Sequence, residues 1–283
     1  MKRAFVKMHG LGNDFVVIDC RSHPLEDPHR AARFLCDRRF GVGADQLLLV
    51  ENSPVAAADF RMVIFNADGS EVEMCGNGIR CFARFLRDHG MTEQKRIPVH
   101  TDAGIIIPTL LEDGQVCVDM GEPNLNATAI PTDFFGRVMD TPLEVLDRTL
   151  RVTCVSMGNP HSVTYVDDVD AFPVAKYGPS IENHPIFPKR INAEFVEVLD
   201  RENLKMRVWE RGSGETMACG TGACAVLVAS VLNRKSSRSA QVHLKGGTLA
   251  IEWAHDNHVY MTGPAVEVFQ GEIELPASAT TPA

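Results

Sequence analysis

The sequence predicts an α+β protein built from two homologous halves, and three observations carry that prediction. Short β-branched apolar segments recur along the whole chain, bounded by turn residues. Only three stretches carry a helical pattern. Two matching frames, Asn66-Ala-Asp-Gly-Ser-Glu-Val-Glu-Met-Cys75-Gly-Asn-Gly and Glu210-Arg-Gly-Ser-Gly-Glu-Thr-Met-Ala-Cys219-Gly-Thr-Gly, each place one cysteine before a Gly-x-Gly turn and an apolar run of helical length.

In chain order, the strand segment Phe15–Asp19 precedes a helix over Pro28–Arg38, with Asp27 placed as its cap and Pro28 at its first position. Strands follow at Gln46–Val50 and Phe60–Phe65, then the first cysteine frame and the helix Ile79–Asp88. Ile105–Leu111 and Val116–Met120 flank the Asp113-Gly114 turn. The second half reads as strands Val152–Ser156, Val163–Val166, Phe195–Leu199 and Met206–Trp209. The second cysteine frame comes next, then the helix Ala223–Asn233. Strands Gln241–Leu244, Leu249–Trp253 and Val266–Phe269 complete the pattern, giving one dominant buried helix per half. The tail 276–283 is small and polar and is expected to be disordered.

The duplication reaches beyond the cysteines. Gly12-Asn13-Asp-Phe-Val-Val answers Gly158-Asn159-Pro-His161-Ser-Val 146 positions later, and Gln46 answers Asn192 at the same separation. Cys75 and Cys219 lie 144 positions apart. Features in one order at nearly constant separation indicate two homologous domains with a boundary near residue 120.

Composition excludes several classes. A chain of 283 residues with 45% hydrophobic and 23% charged residues suits a globular protein of two ordinary domains. A net charge of -9 without a Lys/Arg block argues against nucleic acid or an anionic membrane as partner. The start is basic but lacks an apolar core, so no secretory signal is read, and no stretch approaches the roughly 20 apolar residues of a membrane span. A cytoplasmic protein is expected. Of eight cysteines none form Cys-x-x-Cys, and the histidines show no His-x-x-x-His ligand spacing, so neither a zinc site nor a thioredoxin-type pair is expected.

The cysteine frames carry the chemistry. A cysteine at a helix N-terminus meets unpaired N–H groups and the positive end of the dipole, which favours its thiolate. Asn77 and Thr221 read as N-caps, and with the glycines they leave N–H groups open to a carboxylate. The absence of Gly-Lys-Ser/Thr disfavours a nucleotide phosphate loop. Singly, Asn13, Gln46, Asn66, Asn159 and Asn192 are ordinary turn or strand-edge residues; together they form a neutral set able to bind ammonium and carboxylate groups. Glu210-Arg211 adds a charged pair at the second cysteine, and His161 is placed to orient or tune a thiol. Two opposed thiols imply inversion at one α-carbon: one removes the proton, the other returns one to the opposite face. The weakly acidic α-proton demands oriented dipoles and exclusion of water, which a cleft closing between domains would supply.

With these residues together, the chain resembles the diaminopimelate epimerase family, whose members work without pyridoxal phosphate. The resemblance is carried by Met8-His-Gly-Leu-Gly-Asn-Asp-Phe15, Asn66-Ala-Asp-Gly-Ser-Glu, Met74-Cys-Gly-Asn-Gly-Ile-Arg80, Gly158-Asn-Pro-His161, Glu210-Arg-Gly-Ser-Gly-Glu-Thr and Ala218-Cys-Gly-Thr-Gly-Ala223. It implies two pseudo-symmetric domains, each a strand-rich barrel-like sheet wrapped around a central helix. The domains are then 1–120 plus 264–283, carrying Cys75, and 121–263, carrying Cys219, with the last strand returning to the first domain. It implies that Cys75 and Cys219 are the acid/base residues, and that Asn13, Gln46, Asn66, Gly76, Asn77, Asn159, Asn192, Glu210, Arg211, Gly220 and Thr221 contact substrate. His161 and Glu210 would support catalysis. The implied reaction interconverts LL- and meso-diaminopimelate without cofactor or metal, for lysine and cell-wall precursors, in a homodimer. Proline racemases share the two-cysteine logic, phenazine-type isomerases share the fold without the cysteine pair, and a redox protein using the same thiols is the rival from another class.

Overall fold

The computed structural model describes residues 2–276; the tail expected to be disordered lies, beyond Pro276, outside the described residues. Backbone packing divides the chain into two units, one running to Val118 and resuming at Pro264, the other spanning Asp119–Gly263.

In the first unit β1 (Lys2–Gly10) and β2 (Asn13–Asp19) form a hairpin turned at Leu11 and Gly12, both at positive φ. The helix α1 (Pro28–Leu35) is capped by Asp27, whose carboxylate accepts from Arg30 N at 2.9 Å, and it carries the chain to β3 (Gln46–Asn52), parallel to β2. β4 (Phe60–Asn66) returns antiparallel with Gln46 opposite Asn66, and the short β5 (Glu71–Val72) folds back on it. The helix α2 (Gly76–Asp88) leads to β6 (Val99–Thr101), parallel to β4, and to β7 (Gly104–Ile106). Pro108 divides the single strand expected over Ile105–Leu111, and the hairpin β8 (Thr109–Leu110) and β9 (Val116–Asp119) follows.

The second unit repeats this order. β10 (Thr141–Val145) pairs with β11 (Arg148–Ser156), which pairs antiparallel with β12 (Pro160–Tyr165). The helix α3 (Val174–Glu182), not expected from the sequence, crosses to β13 (Asn192–Val198), parallel to β12. β14 (Asn203–Glu210) is antiparallel to β13, and β15 (Gly214–Glu215) folds back on β14. The helix α4 (Gly220–Leu232) is followed by β16 (Ser239–Leu244), parallel to β14, then β17 (Gly247–Trp253) and β18 (Val259–Gly263). β19 (Val266–Glu274) pairs antiparallel with β1, so the last strand belongs to the first unit.

The registers place the repeat residue by residue. Phe15 pairs with Gln46 across β2 and β3, and His161 pairs with Asn192 across β12 and β13. Each sheet carries one helix on each face. In the first unit Val16, Ile18, Leu47, Leu49 and Phe65 pack with Ala31, Ala32 and Leu35 of α1. Strand alternation sends Phe15 and Leu48 to the other face, against α2 at Gly78. In the second unit Ala193 and Phe195 pack with Tyr177 and Ile181 of α3, whereas Tyr165 reaches Ser230 of α4 from the opposite face. Helix α4 is apolar around its circumference and correspondingly buried. The sheets wrap these inner helices without closing into barrels: the first path ends at β19 and β7, which are not paired. No helix among the described residues is long and apolar enough to cross a membrane.

Candidate active site

Cys20, Cys36, Cys81 and Cys154 differ in placement from the two cysteines of the repeated frames. Burial pushes the Cys20 thiol up to about 11, and Cys36, Cys81 and Cys154 up to about 12, which leaves them inert fillers of the core. Cys75 and Cys219 instead stand at helix N-termini. Each is the N-cap itself: Cys75 Sγ accepts from Gly78 N at 3.4 Å, and Cys219 Sγ accepts from Gly222 N at 3.4 Å. The caps expected at Asn77 and Thr221 are therefore displaced by two residues. The extended backbone at the cysteine turns each sulfur back over the first turn, and Asn77 and Thr221 lie within it.

Around Cys75 the first unit gathers the polar residues of its strand ends. The Cys75 thiol points to Asn13 Oδ1 at 3.8 Å, and Asn77 Nδ2 donates to the same oxygen at 3.1 Å. Asn13 opens β2 and its own amide donates to Asp45 at 2.9 Å. Gln46, opening β3, donates to Asn66 Oδ1 at 2.9 Å, and Asn66, closing β4, donates to Ser70 Oγ at 3.0 Å. One residue in this group was not singled out by sequence reasoning. Arg80 is fully buried in α2 and donates to Gly76 O and to Asn77 Oδ1, both at 3.0 Å, fixing the Asn77 carboxamide. Its place in Cys-Gly-Asn-Gly-Ile-Arg, on the inner side of an otherwise apolar turn, is the signal that could have found it.

The second unit builds a different surrounding on the same frame. Cys219 is buried and its sulfur lies 3.6 Å from Thr221 Oγ1. Burial and then the charges of Glu210 and Glu194 hold its thiol well above the ordinary value, against the opposing pull of Thr221 and the Gly222 amide. Burial likewise raises the Glu210 carboxyl, opposed by hydrogen bonds from Thr216 and from the Cys219 thiol. His161 is wholly buried, with Nε2 at 2.9 Å from Asn159 Oδ1 and Nδ1 at 2.6 Å from Glu194 Oε1. Asn192 ties two segments together, donating to Pro160 O at 2.8 Å and accepting from Arg211 N at 2.9 Å. The Arg211 guanidinium donates to Lys189 O at 3.1 Å. Glu194 was also missed by sequence reasoning, since in Asn-Ala-Glu-Phe-Val it reads as the solvent face of an alternating strand.

Each unit thus assembles its own group. Cys75, Asn13 and Asn77 come together in the first, with Gln46 and Asn66 paired beside each other. In the second, Cys219 meets Glu210 and Thr221, and Asn159 meets His161. Among the described residues no group of three or more His, Cys, Asp or Glu is arranged to hold a metal ion. The N–H groups at the starts of α2 and α4 are suited to hold a carboxylate or its enediolate.

The fold is a duplicated, strand-rich one with a cysteine capping the inner helix of each half. Among solved structures it is similar to a phenazine-biosynthesis PhzF-family protein from Bacillus anthracis. The TM-score is 0.71 at 18% identity, over 97% of this chain and 100% of that one. A hydroxyproline epimerase from Agrobacterium vitis gives 0.67 at 14% identity, over 96% and 92%. These likenesses are of fold. The sequence profile of diaminopimelate epimerase matches residues 5–126 and 153–268. The chain is 56% identical over 277 residues to the diaminopimelate epimerase of Acetivibrio thermocellus, covering 96% of this chain and 98% of that protein. It is 57% identical over 278 residues to that of Moorella thermoacetica, covering 96% and 99%. The chain belongs to the diaminopimelate epimerase family.

Proposed function

We propose that this protein interconverts LL- and meso-2,6-diaminopimelate by a two-base mechanism in which Cys75 and Cys219 act on opposite faces of one α-carbon. The matched capping of both thiols by the first turns of α2 and α4 is the observation that carries the reading. One cysteine, as thiolate, takes the α-proton; the other, as thiol, delivers a proton to the opposite face. The two exchange roles in the reverse direction. The electron pair left by the proton moves into the α-carboxylate, and the helix N-termini stabilise the resulting enediolate where charge develops.

The carboxamides of Asn13, Asn66, Asn77, Asn159, Asn192 and Gln46 read the substrate's ammonium and carboxylate groups. Arg211 pairs with its second carboxylate in the planar, two-point manner of a guanidinium. Glu210 and His161 set the acidity of the cysteine beside them. The reading places the protein in the cytoplasm as a homodimer, in lysine and peptidoglycan-precursor synthesis. Incubation with LL-diaminopimelate in deuterated water should give the meso isomer with deuterium at one α-carbon. Reduced, folded protein that exchanges no α-proton at any pH would overturn it.

A further inference from the structure

The duplication provides an internal control for one buried pair. The register that sets Phe15 against Gln46 and Val17 against Leu48 recurs as His161 against Asn192 and Val163 against Glu194. His161 therefore occupies the place of Phe15, and Glu194 the place of Leu48. Phe15 and Leu48 lie beneath Gly78, and Glu194 lies beneath Gly222, the glycine three residues after each capping cysteine. A Cβ on Gly78 would meet Leu48 at 3.4 Å and Phe15 at 3.5 Å; a Cβ on Gly222 would meet Glu194 Oε1 at 3.0 Å and Cys219 Sγ at 3.2 Å. One scaffold accepts an apolar pair under one cysteine and an acid with an imidazole under the other.

The apolar pair shows that this sheet position does not need charge to fold. A buried ion pair exchanged for well-packed apolar residues is often neutral or stabilising, so stability does not explain its presence. Glu194 is completely buried; its Oε1 takes the His161 Nδ1 contact at 2.6 Å, while Oε2 has no hydrogen-bond partner among the described residues. An arrangement that leaves a carboxylate oxygen unsatisfied is unfavourable for the fold alone.

We infer that Glu194 is a positioning residue of the Cys219 half-site: it grips His161 by Nδ1 and so presents Nε2 to the carboxamide of Asn159. The contact of Nε2 with Asn159 Oδ1 at 2.9 Å then orients that carboxamide. The same carboxylate and Glu210 from β14 are the charges that act on the Cys219 thiol, and His161 from β12 acts on Glu210. The first half has no counterpart, so the two cysteines differ in what lies behind them.

The inference rests on the epimerase reading for its kinetic arm and stands apart from it in a spectroscopic arm. The double variant H161F/E194L, which copies the first half's pair, should fold with a Tm at or above the parent's and lose activity at least about 100-fold. E194Q should lower kcat about 10–100-fold with KM changed less than about threefold, and E194D should recover part of that loss. In E194Q the limb of the pH profile belonging to Cys219 should move to lower pH, because a negative charge that favours the thiol is gone. Ring 15N NMR of His161 should show a fixed ring in the parent and averaging in E194Q. Parent-like kcat, pH profile and His161 spectrum in E194Q would overturn the inference, as would a double variant that folds and stays active. A parent without α-proton exchange would sink the epimerase reading, while the His161 spectra still decide the positioning claim.

Discussion

Trp209 packs on Gly178, so close that a Cβ at position 178 would stand 2.5 Å from Trp209 Cγ. The contact joins α3 to the end of β14, one residue before Glu210. Glu182, one turn further along α3, completes the clamp. Its Oε2 accepts from Trp209 Nε1 at 2.8 Å, and its Oε1 accepts from Gly212 N at 2.8 Å and from Arg190 at 3.1 Å. The outer helix thus fixes the turn that carries Glu210 and Arg211.

G178A should destabilise the second unit, because the nearest atoms are a packed indole and not the flexible end of a side chain. Overpacking of this kind costs about 1–3 kcal/mol, and each kcal/mol lowers Tm by roughly 2–4 °C in a chain of this size. Calorimetry checks it. An unchanged Tm would mean that the Trp209 ring is free to move aside.

E182A should reach the site as well as the fold. It leaves the Trp209 and Gly212 N–H groups without their acceptor, a loss of about 2–4 kcal/mol of stability. With Gly212 released, Arg211 loses its fixed approach to Asn192, and KM for diaminopimelate should rise about tenfold, equivalent to about 1.4 kcal/mol of binding. Steady-state kinetics on the folded variant would show the idea wrong if KM stayed within a factor of two.

C75A and C219A should each remove at least about 10³-fold of the epimerisation rate, because each face of the α-carbon needs its own proton carrier. Deuterium incorporation followed by NMR with LL- and with meso-diaminopimelate separates the two halves of the reaction. Turnover near that of the parent in either variant would refute the two-base assignment.

The polar site was largely legible because each of its residues sits at a repeated place. Asn13, Gln46 and Asn192 open strands, Asn66 closes one, and strand ends are where sequence places turn-forming amides. What was hidden depended on tertiary contact. The Gly178-Pro179 pair broke the helical pattern of α3, yet the glycine is required there by Trp209. Lysines at 2 and 7 disguised β1, whose Lys7 is buried because Asp14 receives it. Glu194 looked solvated on an alternating strand, and only the register shows that the second face of that strand is covered by α4. The match of Leu48 to Glu194 was present in the numbering, but it gains meaning once both are seen beneath a glycine.

Asp14 sits at the centre of the network that holds Asn13 and links the site to pH. It accepts from Lys7 at 2.6 Å and from Arg38 at 2.8 Å, and its Oδ1 accepts from the Asp45 amide at 2.8 Å. Asp45 in turn holds the Asn13 carboxamide. Burial pushes the Asp14 carboxyl up, but the hydrogen bonds from Arg38 and Lys7 outweigh it and set it at about 2, below the model-peptide value of 3.8. A carboxyl lowered by folding stabilises the native state fully above its unfolded value, and that contribution drains away as pH falls from about 4 to about 2. D14N should therefore lower stability near neutral pH by about 3 kcal/mol, since the buried Lys7 loses its counter-charge. The gap between variant and parent should shrink below pH 4 and close near pH 2. Urea unfolding across that range measures both curves. A gap that stays constant from pH 7 to pH 2 would show that the Asp14 charge is not what holds this turn.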